Sequence, residues 1–206
     1  MRAVLLDVPA ELLADRRRMG LDIRDEMWEC VLHMVPSPTT DHQGLGSRLL
    51  LVLATLAEAK GLRHFYETAV YDPAAPPETN YRVPDQVYAS PEYVSHRGIE
   101  GRAALVVELL SPHDETYDKL AFYASVGVEE VLIIDPITRA VEMWRPVIEA
   151  GVVPKMADAP KMASAPEMGR SEPVGGNVEV RALGVTLERV EGPRLRLTYP
   201  GGVTEI

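Results

Sequence analysis

The sequence predicts an α/β fold in which a mixed sheet of parallel and antiparallel strands is flanked by helices. Short apolar runs alternate along the chain with segments of helical period, as in folds whose sheets are covered on both faces. Two of these runs, AALVVELL at 103–110 and VLIID at 131–135, are almost continuously apolar, which is typical of strands buried on both faces. A chain of 206 residues is long enough for one such domain with an extension.

Three segments have a helical pattern, and they cover residues 9–19, 42–60 and 116–126. The second is the longest, and its leucines recur on one face until Gly61 ends it. Thr40 or Asp41 is the expected N-terminal cap of this helix. The first helix ends in the basic run 16–18, which we interpret as a solvated face rather than a strip that binds phosphate.

The predicted strands cover residues 28–35, 64–71, 83–89, 103–110, 131–135 and 140–145, with further short strands within 178–199. The pair 131–135 and 140–145 is expected to form a hairpin.

These elements predict a core domain over residues 1–146. Residues 147–170 contain a Pro-Lys-Met repeat that starts at 154 and 160, and this composition predicts a disordered insertion. Residues 171–206 are expected to be a C-terminal β extension of the same domain.

Composition limits the classes of function. No apolar run is long enough to span a bilayer, and Asp7 interrupts the N-terminal apolar residues too early for a secretory signal. The single cysteine, Cys30, excludes a disulfide framework. We therefore expect a cytoplasmic protein. The formal net charge of −10 argues against a general nucleic-acid coat, but a nuclease remains compatible with it because metal sites concentrate acidic residues.

Two acidic residues stand out by their positions. Glu108 lies inside the apolar run 103–110, where an ionised carboxylate is costly unless it is paired or binds a metal. Asp85 follows Pro84 and precedes Glu108 by 23 residues, which allows a strand, a turn and a neighbouring strand. Two such charges ~4 Å apart repel by ~4 kcal/mol at an effective dielectric of about 20, and a divalent cation reverses the sign of that interaction. Oxygen ligands favour Mg²⁺ or Mn²⁺.

Each acidic residue also has an alternative interpretation. Glu108 could be a buried acid that is paired with an arginine such as Arg82 or Arg102. Asp85 could be an ordinary acid at a turn or strand end. Each alternative is favoured when its residue is considered by itself, whereas the two positions together with the motifs that follow favour a metal site.

Several motifs, in order, resemble the Uma-type restriction endonuclease family of the PD-(D/E)XK nuclease superfamily. They are YRVPD at 81–85, VVELLSP at 106–112, Lys119 with Tyr123 four residues later, Gly127-Val128 and IIDP at 133–136. The likeness runs from about Trp28 to Arg145, with a weaker one near 183–185. A lone Pro-Asp is a weak signal, whereas the ordered set is far more specific.

The resemblance implies a restriction-endonuclease-like core with flanking helices. It implies that Asp85, Glu108 and the Leu109 carbonyl bind Mg²⁺ or Mn²⁺. The superfamily's lysine normally follows the glutamate by two residues, where this chain has Leu110, which carries no charge. The family likeness assigns the lysine to Lys119 on the following helix instead. It also indicates a histidine near the metal or the scissile phosphate, which corresponds to His42.

Two of these assignments have open alternatives. Glu115 precedes Lys119 by four residues, the favourable order for a surface helix pair worth only ~0.2–0.5 kcal/mol. His42 opens the long helix on its apolar face and could be a satisfied histidine near the helix cap. From the residues alone, both alternatives are reasonable.

The expected function is that of a metal-dependent endonuclease with DNA as its substrate, and a homodimer is compatible with the sequence. The first rival is a nucleic-acid-binding or regulatory module whose catalytic site has degenerated, which the leucine at position 110 supports. The second rival is an acidic structural protein in which Glu108 pairs with an arginine.

Overall fold

The computed structural model describes residues 3–6, 8–112, 115–147, 166–171 and 177–206. Its helices are α1 (Ala10–Met19), α2 (Thr40–Ala59) and α3 (Leu120–Ser125). The strands of the N-terminal half are β1 (Ala3–Leu5), β2 (Glu26–Trp28), β3 (Val31–Met34), β4 (Arg63–Tyr66), β5 (Val70–Tyr71), β6 (Tyr81–Arg82), β7 (Gln86–Ala89) and β8 (Ile99–Glu100). Those of the C-terminal half are β9 (Leu105–Leu109), β10 (Val131–Ile134), β11 (Val141–Pro146), β12 (Met168–Ser171), β13 (Asn177–Val180), β14 (Val185–Val190), β15 (Arg194–Tyr199) and β16 (Gly202–Glu205).

The strands form three sheets. The central sheet has the order β12-β11-β10-β9-β7-β4, and an N-terminal sheet has the order β1-β3-β2-β6-β5-β8. Each contains one parallel pair, β9 with β10 and β5 with β8, among antiparallel neighbours. The third sheet, β13-β14-β15-β16, is antiparallel throughout. The predicted mixed α/β fold is therefore confirmed.

The central sheet separates two apolar clusters, which explains the continuous apolar runs. Alternate residues of a strand point to opposite faces. In β9, Leu105 and Val107 pack on the side of α2 and the third sheet, while Val106 packs on the side of α3. All four residues of β10 are buried. The parallel pair at the centre of the sheet is thus covered on both faces, as the sequence predicted.

The helices occur where their period predicted them, with two differences in detail. The cap of α2 is Thr39 rather than Thr40 or Asp41, because the Thr39 hydroxyl accepts a hydrogen bond from the His42 backbone at 3.3 Å. The third helix begins as a 3₁₀ turn at Tyr117–Lys119 before α3. In the described residues, no helix has the length and apolarity needed to cross a bilayer.

Two predicted strands are in fact divided. The prediction of one strand at 28–35 is wrong because Glu29 and Cys30 adopt positive φ angles of 50° and 73° and form the turn of the β2–β3 hairpin. The prediction at 64–71 is wrong because Glu67, with φ of 46°, separates β4 in the central sheet from β5 in the N-terminal sheet. The predicted hairpin of β10 and β11 is confirmed.

The chain after β11 returns to the central sheet. Strand β12 pairs with β11 from Met168 to Ser171, so residues 168–170 belong to the sheet and not to the insertion predicted over 147–170. Most of that predicted insertion, residues 148–165, lies outside the described residues. The third sheet contributes Val180, Leu187 and other apolar residues to the same cluster as α2.

Candidate active site

Asp85 and Glu108 lie side by side at one end of the central sheet. Strands β7 and β9 are antiparallel, with Gln86 opposite Val107, so the register continued by one residue sets Asp85 opposite Glu108. The Asp85 Oδ2 atom accepts a hydrogen bond from the Leu109 backbone N–H at 2.7 Å, which holds the carboxylate against the end of β9. The two acidic residues separated by 23 positions are therefore neighbours.

Glu108 points toward α3, on the same face of β9 as Val106, and its side chain is buried. Its Oε1 atom accepts hydrogen bonds from the Tyr123 hydroxyl at 2.5 Å and from the Lys119 amine at 3.2 Å. The alternative that Glu108 pairs with an arginine is wrong. Arg82 instead stacks on Trp28 and Phe122, and Arg102 pairs with Glu129.

Lys119 is also buried and contacts a second carboxylate. Its Nζ atom lies 2.8 Å from Glu26 Oε1, closer than to Glu108. The alternative of a surface pair between Glu115 and Lys119 is therefore wrong, because Glu115 contacts His33 at 2.8 Å. Lys119, in the 3₁₀ turn, therefore brings a positive charge to Glu108, whereas Leu110, the residue after β9, carries no charge.

Glu26 is a site residue that the sequence did not indicate. Its carboxylate is fully buried and also accepts hydrogen bonds from the Trp28 indole at 2.8 Å and from the Val83 backbone at 3.1 Å. In the sequence it stands among other acidic residues, in a segment that resembles an ordinary solvated surface. No local pattern distinguishes it, because two of its partners, Val83 and Lys119, are distant along the chain.

The two glutamates that share Lys119 have opposite protonation tendencies. Burial raises the pKa of Glu108 to about 7, since the attraction of Lys119 is offset by the nearby carboxylates of Asp85 and Glu26. Burial also acts on Glu26, but Lys119 and the hydrogen bonds from Trp28 and Val83 leave its pKa lowered. The same two carboxylates raise the pKa of Lys119 despite its burial. The ionised form is therefore favoured for Glu26, which acts as the counter-ion of Lys119, whereas burial and the neighbouring carboxylates disfavour the ionised form of Glu108.

His42 contacts both Asp85 and Leu109 from the first turn of α2. Its Nε2 atom lies 3.1 Å from the Leu109 carbonyl oxygen and 3.3 Å from Asp85 Oδ2. Burial lowers the pKa of His42, but the hydrogen bond and charge of Asp85 outweigh burial and leave that pKa raised. Its Nδ1 atom is buried and has no partner within the described part of the chain.

The close approach of α2 to the end of β9 depends on Gly46. A methyl group at this position would lie 3.2 Å from both the Leu109 side chain and the Tyr66 hydroxyl. The Gly46 carbonyl also accepts a hydrogen bond from the buried Gln86 side chain at 2.9 Å. This contact fixes α2 on the sheet, and His42 can therefore reach Leu109.

A cavity of about 220 Å³ opens onto these residues. The predicted site residues Asp85, Glu108, Leu109, Lys119 and His42 all line it. Its other charged lining residues are Glu26, Glu67 and Arg24, and the loop from Val35 to Thr39 forms another part of its wall. All five predicted site residues are thus brought together, and three charged residues that the sequence did not indicate lie with them.

The donor set suits a hard divalent cation. Two of the three predicted ligand oxygens, Asp85 Oδ2 and the Leu109 carbonyl, both contact the His42 Nε2 atom, at 3.3 and 3.1 Å, and are therefore close to each other. Among the described residues, no three His, Cys, Asp or Glu side chains are arranged as a metal site. A cation here would therefore need a backbone ligand, and carboxylate and carbonyl oxygens are the ligands that Mg²⁺ and Mn²⁺ prefer.

Comparison with known proteins identifies the family and a similar fold. The chain superimposes on a crystal structure described as a "putative nuclease belonging to DUF820" from Anabaena variabilis ATCC 29413, with 20% identity and a TM-score of 0.51, over 61% of this chain and 73% of that one. At this identity the likeness concerns the fold. None of the curated proteins compared matches the chain. Residues 18–170 match the model of the Uma2 family, which is described as "Putative restriction endonuclease". Since that match covers well over half of the sequence, the chain belongs to this family.

Proposed function

We propose that this protein is a metal-dependent endonuclease that hydrolyses phosphodiester bonds in DNA. The family's description supports hydrolysis of nucleic acid, and its restriction-endonuclease character supports DNA as the substrate. The observation that carries the proposal is the position of Asp85 beside Glu108 and the Leu109 carbonyl, at the edge of a cavity that opens between α2 and β9.

Asp85, Glu108 and the Leu109 carbonyl would hold the cation. A divalent cation in such a site polarises the scissile phosphate and lowers the pKa of a bound water. Burial and the charges of Asp85 and Glu26 disfavour the ionised form of Glu108, and a positive charge at this point would favour that form.

The other residues of the site orient these ligands. Lys119 and Tyr123 hold the Glu108 carboxylate from the side of α3, and the Leu109 N–H holds Asp85. His42 fixes the Leu109 carbonyl from the side of α2. Lys119 also lines the cavity, where its ammonium can stabilise negative charge that develops on the phosphate.

The direct test is nicking of supercoiled plasmid DNA with Mg²⁺ or Mn²⁺, by the wild type and by the variants Asp85→Asn and Glu108→Gln. We expect metal-dependent cleavage that both substitutions abolish. Glu129→Gln is the matched control, because it removes one negative charge from an exposed pair that does not line the cavity. Cleavage that survives in Asp85→Asn and Glu108→Gln would refute the assigned site.

The dependence of the melting temperature on metal concentration distinguishes the rival function. A bound metal stabilises the native state by an amount that grows with its concentration, about 2.7 kcal/mol at 100 times Kd. A metal-dependent rise in the melting temperature without DNA cleavage would favour a binding module on the same fold. If the melting temperature does not respond to metal and DNA is not cleaved, the nuclease proposal is wrong.

A further inference from the structure

The cavity is poor in available positive charge for an enzyme that must accept a phosphodiester. Four carboxylates line it, those of Glu26, Glu67, Asp85 and Glu108. The whole chain carries a formal charge of −10, so the long-range field also repels nucleic acid. Affinity for a polyanion then depends on the few cations placed at the site itself.

Lys119 cannot supply that affinity alone. Its side chain is only 8% exposed, and its ammonium lies between Glu26 and Glu108 at 2.8 and 3.2 Å. A phosphate that recruited this ammonium would leave one of two buried carboxylates without its counter-ion, which is unfavourable. Lys119 is thus mainly committed to holding the acids.

Arg24 is different, because it lines the same cavity and its side chain is 33% exposed. It contacts Glu67 Oε1 through Nε at 3.1 Å. Within the described part of the chain, its two terminal guanidinium nitrogens form no hydrogen bond. The edge of the guanidinium that carries these nitrogens has the planar, two-donor geometry that matches phosphate oxygens.

Glu67 holds Arg24 in place and is itself tightly held. Its Oε1 atom also accepts a hydrogen bond from the Gln43 side chain at 3.2 Å, and its backbone N–H donates to the Asp85 carbonyl at 3.0 Å. Its φ of 46° lies in the left-handed region, which non-glycine residues seldom adopt and which concentrates at functional sites. The backbone of Asp85 and the side chain of Arg24 are therefore linked through one residue.

We propose that Arg24 binds a backbone phosphate of the nucleic-acid substrate at the mouth of the cavity, in an orientation set by Glu67. This inference rests on the proposed nuclease function and assigns a substrate contact to a residue outside the family motifs quoted above. The contact is made equally in the ground state and the transition state, so it acts on binding of the substrate rather than on the turnover step.

The experiment measures KM and kcat for cleavage of a DNA duplex by wild type, Arg24→Gln and Arg24→Lys over a range of KCl concentrations. For Arg24→Gln we expect KM to rise about tenfold at low salt with kcat nearly unchanged. The slope of log(1/KM) against log[KCl] should become less steep by about 0.9, the value for one lost phosphate contact on a duplex. Arg24→Lys should keep the wild-type slope and recover part of the affinity, because it keeps the charge but loses the planar donors.

Arg102→Gln is the matched control, since it removes the same charge from another Arg–Glu pair whose residues do not line the cavity. An equal salt slope and KM for Arg24→Gln and Arg102→Gln would overturn the proposal, and would show that Arg24 only forms a surface ion pair. That result leaves the nuclease function intact, provided that Asp85→Asn is inactive. If wild type cleaves no DNA, the function fails, and the inference that rests on it fails too.

Discussion

The two buried glutamates that share Lys119 are expected to respond oppositely to substitution by glutamine. For Glu108, burial and the neighbouring carboxylates raise the pKa from its ordinary value of 4.5 to about 7. A carboxyl whose folded pKa is raised contributes stability at low pH, and that contribution is lost as pH rises from about 4.5 to about 7. The loss amounts to about 3 kcal/mol, because each pH unit of difference between folded and unfolded pKa corresponds to about 1.4 kcal/mol.

Glu108→Gln removes this cost and keeps an oxygen that accepts from Tyr123 and Lys119. We therefore expect the variant to match the wild type near pH ~4 and to exceed its free energy of unfolding by up to about 3 kcal/mol near pH ~8. For a chain of this size that corresponds to a rise in melting temperature of about 6–12 °C. The measurement is urea unfolding followed by circular dichroism at several pH values, with EDTA present.

Glu26→Gln is the comparison that gives the opposite sign. The pKa of Glu26 is lowered in the fold, so its contribution to stability is present above about pH 4.5 and is lost as pH falls through the folded pKa. Near pH ~8 its substitution should cost about 3–5 kcal/mol, because Lys119 then lacks this counter-ion. If Glu108→Gln instead loses that much stability near pH ~8, Glu108 is the ionised partner of Lys119 and the argument is wrong.

Three further predictions concern the lysine, a turn and the segment after β11. Lys119→Ala should lose about 3–5 kcal/mol of stability and lower turnover more than metal affinity, since a lysine ammonium is not a metal ligand. The measurements are DNA cleavage and calorimetric metal titration at a temperature where the variant is folded, and an equal loss of turnover and metal affinity would contradict this. Cys30→Gly should raise the free energy of unfolding by about 1 kcal/mol, because Cys30 has a φ of 73° in an exposed turn; an unchanged urea midpoint would contradict this. Deletion of residues 154–165 should leave the melting temperature unchanged, whereas deletion of 154–170 should lower it, because Met168–Gly169-Arg170 pairs with β11; equal behaviour of the two deletions would refute the boundary.

The sequence by itself determined the central strands β9 and β10 and indicated the acidic pair. Continuous apolar runs predicted β9 and β10 as strands buried on both faces, and the structure confirms this. The position of Glu108 within such a run indicated a carboxylate that needs a partner, and the 23 residues from Asp85 suited neighbouring strands. These features are local, because burial of a strand on both faces requires that nearly every one of its residues be apolar.

The tertiary structure decided which charges meet. The spacing of Glu115 and Lys119 left a surface pair open as an alternative, but Glu115 contacts His33, 82 residues away in sequence, and Lys119 turns inward to Glu26 and Glu108. A helical pair is worth only ~0.2–0.5 kcal/mol, which is too little to compete with two buried carboxylates that need a counter-ion. Those carboxylates come from β2 and β9, and only the packing of both strands against the turn before α3 brings them to one ammonium.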